Sequence, residues 1–330
     1  MKKILIIRFS SIGDIVLTSP VIRCAKQQIP DCELHYLTKA QFAPVVSRNP
    51  NIDKVLIIKS SINEIIPALQ VENYDVVIDL HKNFRSLGVR LNLWKKSFSF
   101  PKLNFKKWLL VQFKINKMPG VHIVDRYFEA VQKIGVINDF AGLDYFIPEQ
   151  DEVKLNKLPA EFQHGFVGLV VGGKHRTKQL PVEKAIELCE KIPFPVIILG
   201  GKEDREEASK IASASGAKVL NTCGIYNLNQ SASLIRQSKV VITNDTGLMH
   251  IAAAFHKKIV SIWGNTVPEL GMYPYLPHEK DCYSIFEIKD LSCRPCSKIG
   301  FENCPKKHFR CMMDQDIDKI AQKVIDYLKQ

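Results

Sequence analysis

Short runs of β-branched residues alternate with amphipathic stretches along most of the chain, and this alternation sets the expected architecture. Strand candidates fall at 3–8, 33–37, 54–58 and 75–80, with helical periodicity at 15–28 and 62–70. The strands are apolar on both faces, which predicts a parallel sheet covered by helices on both sides. Residues 81–120 lose this rhythm, and a helix is expected at about 124–134. The polar segment 148–159 has the composition of a linker. The alternation then restarts, with strands expected at 166–171, 196–199, 240–243 and 259–263. Helices are expected at 182–191, 205–214, 228–237 and 248–255, and a last amphipathic helix at 316–328. The pattern therefore predicts two doubly wound α/β domains, 1–152 and 153–313. The tail 314–330 is expected to be a helix that packs back on the N-terminal domain. Open parallel sheets bind ligands beyond the carboxyl ends of their strands, so the loops leaving those ends are where chemistry is sought.

A hydrophobic content of 46% in 330 residues is ample for two cores. No apolar run approaches the ~18–20 residues a membrane helix needs. Arg8 and Asp14 interrupt the apolar start before it resembles a secretion signal, which predicts a cytoplasmic protein. The net charge of +12 is concentrated, because no acidic residue lies between Asp79 and Asp125 while ten lysines and arginines do, Lys82, Arg85 and Arg90 among them. Trp94, Phe98, Phe100, Phe105, Trp108 and Phe113 are interleaved with them. Such a stretch suits an anionic partner such as phospholipid headgroups or a phosphorylated glycolipid, or else is a solvated lysine-rich face. No helix-turn-helix, finger or RNP pattern accompanies it, so nucleic acid is not expected.

Three junctions between strand and helix carry candidate chemistry. At Arg8-Phe9-Ser10-Ser11-Ile12-Gly13-Asp14, Asp14 is either a helix cap or a carboxylate placed to act as a general base. At Gly172-Gly173-Lys174-His175-Arg176-Thr177-Lys178, two glycines permit close backbone approach and the cations suit a diphosphate. At Asn244-Asp245-Thr246-Gly247, a buried strand turns directly into a helix whose free N–H groups and dipole form an anion site, with His250 one turn in. Neither GxGxxG nor the Walker A spacing occurs.

These segments, with Thr177-Lys178-Gln179-Leu180-Pro181, Gly200-Gly201-Lys202-Glu203-Asp204 and Trp263-Gly264-Asn265-Thr266-Val267-Pro268-Glu269, resemble the lipopolysaccharide heptosyltransferases of glycosyltransferase family 9. The resemblance implies a GT-B fold: two Rossmann-like domains facing a central cleft, acceptor on the first and nucleotide-sugar on the second. It implies inverting transfer of a heptose from an ADP-sugar to a core hydroxyl, with no metal required. Asp14 then falls at the position of the base and Lys178 at that of the diphosphate-binding lysine. Asp245, Thr246, Gly247, Leu248 and His250 fall on the donor motif, together with Gly172, Gly173 and Thr177. The acid meeting the ribose falls on Glu203, one residue from Asp204. Ser10, Ser11, Gly13, Lys82 and Arg85 would face the acceptor, an anionic glycolipid. A monomer in peripheral contact with the cytosolic face of the inner membrane is expected. Gln179-Leu180 stands where the family commonly has an aromatic residue before the proline, and Gly172-Gly173 replaces a Pro-Gly-Ala type of turn. The rival is a nucleotide-sugar epimerase of similar two-domain architecture, which needs no acceptor.

Nine cysteines remain. Five are scattered, as reduced structural thiols are. Cys293, Cys296, Cys304 and Cys311 follow a C-x2-C-x7-C-x6-C spacing, which points either to a structural zinc, with His308 as a further ligand, or to four packed thiols.

Overall fold

The computed structural model describes residues 2–330 and resolves the chain into two compact units. The first comprises the residues up to Leu103 together with Val121–Phe146; the second comprises Asn104–Gly120 and Ile147–Gln330.

The first unit is a five-stranded parallel sheet of β1 (Lys2–Ile7), β2 (Cys32–Lys39), β3 (Lys54–Ile58), β4 (Val76–Asp79) and β5 (Lys96–Ser99), in the order β3-β2-β1-β4-β5. Ile4 is in register with Leu34 on one side and Val76 on the other. Ile4 to Ile7 are fully buried, as a central strand covered on both faces requires. Helices α1 (Ile12–Val16), α2 (Ser19–Gln28), α3 (Ile66–Val71) and α4 (Phe84–Leu93) lie between the strands. The helix expected at 15–28 is thus two, divided near Pro20; proline has no N–H to donate and is tolerated only in a first turn, which opens α2.

Helix α5 (Asn104–Phe113) groups with the second unit, where Leu110 packs with Val267 and Leu270, and α6 (Ile123–Val131) returns to the first. The change of unit falls at Phe146 rather than at 152. The polar segment beyond it is pinned in place: Asp151 accepts from Asn227 and Asn229 at 2.9 Å each, and Glu152 accepts from the Ser233 hydroxyl at 2.8 Å.

The second unit also holds α7 (Ala160–Gln163) and a six-stranded parallel sheet, β6 (Val167–Val170), β7 (Val196–Leu199), β8 (Val219–Asn221), β9 (Val240–Asn244), β10 (Lys258–Trp263) and β11 (Tyr283–Glu287). Its order is β11-β10-β9-β6-β7-β8. Its other helices are α8 (Val182–Lys191), α9 (Arg205–Ser215), α10 (Leu228–Gln237), α11 (Gly247–Ala254), α12 (Arg310–Met313) and α13 (Ile317–Leu328). The tail 314–330 groups with the second unit, where Ile317, Ile320, Ala321, Val324 and Tyr327 of α13 join the core with their apolar stripe.

In each sheet the chain order reverses once, between β1 and β4 in the first and between β6 and β9 in the second. Crevices open at the carboxyl ends of such strand pairs. The Ser10–Asp14 turn leaves β1, and the loops bearing Lys178 and Asp245 leave β6 and β9.

Candidate active site

In the first unit Asp14 sits at the third position of α1 and its carboxylate is held from two sides. Arg8 Nη2 lies 2.6 Å from Oδ1, while the Ser11 hydroxyl donates to Oδ2 at 2.7 Å. Arg8 also donates from Nε to the Ser10 carbonyl (2.8 Å) and from Nη1 to that of Leu80. Burial works against the guanidinium charge, but the neighbouring Asp14 carboxylate outweighs it and holds Arg8 above its ordinary value. The arrangement is a charged, oriented and partly exposed carboxylate at the end of the central strand, which a general base requires. Arg8 was not legible as a partner, since a strand-end arginine carries no motif of its own.

Beside β4, the buried Asp79 accepts from the backbone N–H groups of His81 (3.0 Å) and Lys82 (2.7 Å) and from the Ser86 hydroxyl (2.8 Å), which shapes the turn into α4. Lys82 spends its ammonium on the Phe100 carbonyl at 2.8 Å. Arg85, at the start of α4, instead lines a cavity of about 530 Å³ with Phe9, Lys39, Lys59, Ser60 and Ser61. Neither Lys39, Lys59 nor Arg85 pairs with a carboxylate among the described residues. The nearby Glu64 carboxylate accepts from the backbone N–H of Ser60 (2.9 Å) and its hydroxyl (3.0 Å). Lys39 and Lys59 are basic residues the sequence pattern did not single out.

In the second unit the Lys178 ammonium lies 2.6 Å from Asp245 Oδ2, and Thr266 donates to the same oxygen at 2.9 Å. Both charged side chains are mostly buried. Thr246 caps α11, with Gly247 and Leu248 as its first helical residues, so that their N–H groups open beside the Lys178–Asp245 pair. His250 is buried one turn further on. The Thr246 hydroxyl and both ends of the Asn265 amide are buried and have no hydrogen-bond partner among the described residues. Buried polar groups are normally satisfied, and Thr246 and Asn265 adjoin Asp245 and Thr266 in sequence.

A Cβ at Gly172 would lie 2.4 Å from the Asp204 carboxylate, and one at Gly173 would lie 3.4 Å from Thr246 Cγ2, so side chains here would crowd the loop. Asp204 is itself structural: buried, it accepts the Gly201 N–H at 2.7 Å, and its burial pushes its pKa up. Glu203, one residue earlier, keeps an exposed side chain. Thr177 is buried, and its hydroxyl both donates to the Phe301 carbonyl and accepts the Phe301 N–H, each at 2.8 Å, so it braces the loop and is not turned to a ligand.

That brace extends further. Arg294, deeply buried, donates to the carbonyls of Gly264, Ile288 and Thr266 (2.9 Å for the last) and pairs with Glu287 at 2.9 Å. The segment carrying the cysteine cluster is thereby tied to both Thr177 and Thr266. All nine cysteines are free thiols. Cys293 Sγ lies 3.8 Å from His308 Nε2. Burial and the neighbouring Cys293 push Cys296 up to about 11, and burial pushes Cys311 up to about 12. The cysteine sulfurs are neighbours without converging: among the described residues the triplet of ligand atoms drawn within 4.8 Å is Glu33, His35 and Glu72. The two carboxylates of that triplet are already paired with Lys3 and Lys54.

The sequence profile of glycosyltransferase family 9 (heptosyltransferase) matches residues 62–300. The chain belongs to that family. A lipooligosaccharide heptosyltransferase 2 of Haemophilus ducreyi is 26% identical over 300 residues, covering 81% of this chain and 84% of the relative. Lipopolysaccharide heptosyltransferase 2 of Escherichia coli is 22% identical over 308 residues, covering 84% and 86%. Among solved structures, the E. coli ADP-heptose lipopolysaccharide heptosyltransferase II superposes with a TM-score of 0.74 at 20% identity over 100% of this chain and 99% of the other. A family 9 enzyme from Veillonella parvula gives 0.78 at 20% identity over 99% and 97%. The fold is therefore GT-B, and the protein is a glycosyltransferase. A UDP-N-acetylglucosamine 2-epimerase from Listeria monocytogenes shares the fold at a TM-score of 0.57 and 13% identity, over 100% of this chain and 89% of the other, a likeness of architecture alone.

Proposed function

We propose that this glycosyltransferase moves a heptose from ADP-heptose to a hydroxyl of a lipid-anchored lipopolysaccharide core. The observation that carries the reading is the Lys178–Asp245–Thr266 cluster at the opening of α11, which sets an ammonium and free backbone N–H groups at one point. A nucleoside diphosphate leaving group needs that positive charge as its bond to the sugar breaks. Asp14 takes the proton from the acceptor hydroxyl while that oxygen attacks the anomeric carbon in line, and ADP departs with inversion. Lys178 exchanges Asp245 for the diphosphate, and Asp245 is freed to accept from sugar hydroxyls. Glu203 meets the ribose. Lysine and helix dipole together supply the charge stabilisation, which supports catalysis that requires no metal ion. Lys39, Lys59 and Arg85 around the cavity of the first unit suit a phosphate or carboxylate of the acceptor. The enzyme works as a monomer in the cytoplasm, in peripheral contact with the inner membrane.

The four clustered cysteines are proposed as ligands of a structural zinc. The donor set has the right chemistry, but the thiols must draw together and lose their protons as the ion enters, which makes occupancy pH-dependent. Zinc quantification on protein purified without a metal-affinity tag tests this, with about one equivalent expected and none overturning it.

The activity is tested by offering ADP-heptose with and without a deacylated core acceptor and measuring ADP release. Release that depends on the acceptor and yields a heptosylated product is expected. Acceptor-independent turnover, or interconversion of the sugar alone, overturns the reading in favour of an epimerase.

A further inference from the structure

Helix α4 is apolar on two sides. Val89 and Leu93 enter the core of the first unit, and Gly88 faces inward too, since a Cβ there would lie 2.9 Å from Ile62 Cδ1. On the outer side Phe84, Leu87, Leu91 and Trp94 follow at helical spacing and are 92%, 41%, 60% and 91% exposed. At 100° per residue Phe84, Leu87 and Leu91 fall within about a sixth of a turn and form one stripe, and the exposed Trp94 follows it as the left-handed C-cap of the helix. Neither Phe84 nor Trp94 has a ring partner among the described residues. The exposed aromatics of α5 differ, for Phe105 stacks on Trp108 with centroids 5.9 Å apart and Trp108 meets Phe113 edge to face at 5.1 Å.

Lys95 and Lys96 directly follow the stripe in sequence, and no acidic residue occurs from Leu80 to Val124. A second copy of this chain is a poor occupant. A two-fold contact would set these cations against their own symmetry mates. An anionic bilayer suits both features: its headgroups neutralise the cations and its acyl boundary accepts Phe, Leu and Trp. We infer that α4 lies in the plane of an anionic membrane surface with Phe84, Leu87, Leu91 and Trp94 inserted, and that this face docks the enzyme where its lipid-anchored acceptor is held. The inference deepens the glycolipid-acceptor reading and rests on it.

The test uses the full chain with vesicles of phosphatidylcholine alone or mixed with phosphatidylglycerol. Sedimentation with the anionic vesicles is expected, and the variant Phe84→Ser/Leu91→Ser/Trp94→Ser is expected to lose about tenfold or more in partitioning. In a Trp108→Phe background, Trp94 emission is expected to shift to the blue and to be quenched by brominated lipid, since Trp263 is buried and reports little change. Unchanged partitioning of the triple variant, or unquenched Trp94, overturns the inference. So does a change from dimer to monomer on triple substitution in the absence of lipid. Transfer to the deacylated, water-soluble acceptor is expected to be the same in wild type and triple variant. If neither protein transfers to it, the functional reading fails, whatever the vesicles show.

Discussion

Asp14 and Arg8 form a unit, and substitution of either reports on both. Asn at position 14 removes the proposed base and leaves the Arg8 guanidinium, only 9% exposed, without a carboxylate, its remaining partners being the Ser10 and Leu80 carbonyls and the Tyr127 ring. Asp14→Asn is expected to lower kcat by ~10²–10⁴, the range for loss of a general base. It is also expected to lower stability by ~3 kcal/mol through the uncompensated buried charge. ADP affinity, which is proposed to draw on Lys178 and α11, is expected to stay within about twofold. Steady-state kinetics, urea denaturation and ADP titration check the three separately; turnover near the wild-type rate removes Asp14 from the chemistry. The motif residues were legible because each lies within one contiguous turn. Arg8 and Thr266 were not, because the one pairs with Asp14 through the strand end and the other with Asp245 across 21 positions of sequence. Thr177 reads as a ligand residue from its place beside Lys178, and what the sequence did not reveal is that its hydroxyl pairs with Phe301.

At the scale of elements, alternation exposed the central strands and most of the helices, and it failed wherever an element is apolar on more than one side or short. Helix α4 has apolar residues facing both the core and outward, so no single stripe marks it; β5 and β8 are short and only partly apolar. The same limit hid the loop from Glu287 to Phe301 as a support for Thr266 and Asp245, since Arg294 works through carbonyls that have no sequence signature. Because Arg294 holds the Thr266 carbonyl and Thr266 holds Asp245, loosening it displaces the partner of Lys178. Arg294→Lys keeps the charge for Glu287 but cannot span three carbonyls. We expect the KM for the sugar donor to rise about tenfold, equivalent to ~1.4 kcal/mol, with kcat less affected. A purely structural role would instead lower stability and leave the donor KM of the folded fraction unchanged. Kinetics normalised to folded protein separate the two outcomes.

Over the whole molecule, two parallel sheets were legible from the restart of the alternation after the polar segment. The transfer of 104–120 to the second unit was not, because its attachments are far away in sequence: Leu110 and Met118 meet Val267 and Leu270, and the Lys114 ammonium donates to the Pro295 carbonyl at 2.8 Å. The units also differ in how acid reaches them, and the first carries two groups that predict its behaviour. Burial, together with the positive charges of Arg8 and Lys102, holds His81 down at about 3 against an ordinary 6.5. Between those values the unfolded chain binds a proton that the folded chain refuses. His81 therefore costs nothing above pH 6.5 and destabilises progressively as pH falls toward 3. Hydrogen bonds from Lys54 and Lys3 hold Glu72 down at about 2 against 4.5, so its contribution is complete above pH 4.5 and is lost as pH falls toward 2. The signs agree, and stability of this unit should be flat near neutrality, decline below about pH 6.5 and decline more steeply below about 4.5. One proton taken up on unfolding gives a slope of ~1.4 kcal/mol per pH unit. Urea denaturation at a series of pH values, followed through the first unit, measures that slope directly. His81→Asn is expected to flatten the curve between pH 4.5 and 6.5 whatever it does to the plateau. Glu72→Gln is expected to lower the plateau and to converge with wild type near pH 2. An unaltered slope in the histidine variant would show that His81 takes its proton as readily in the folded chain as in the unfolded one.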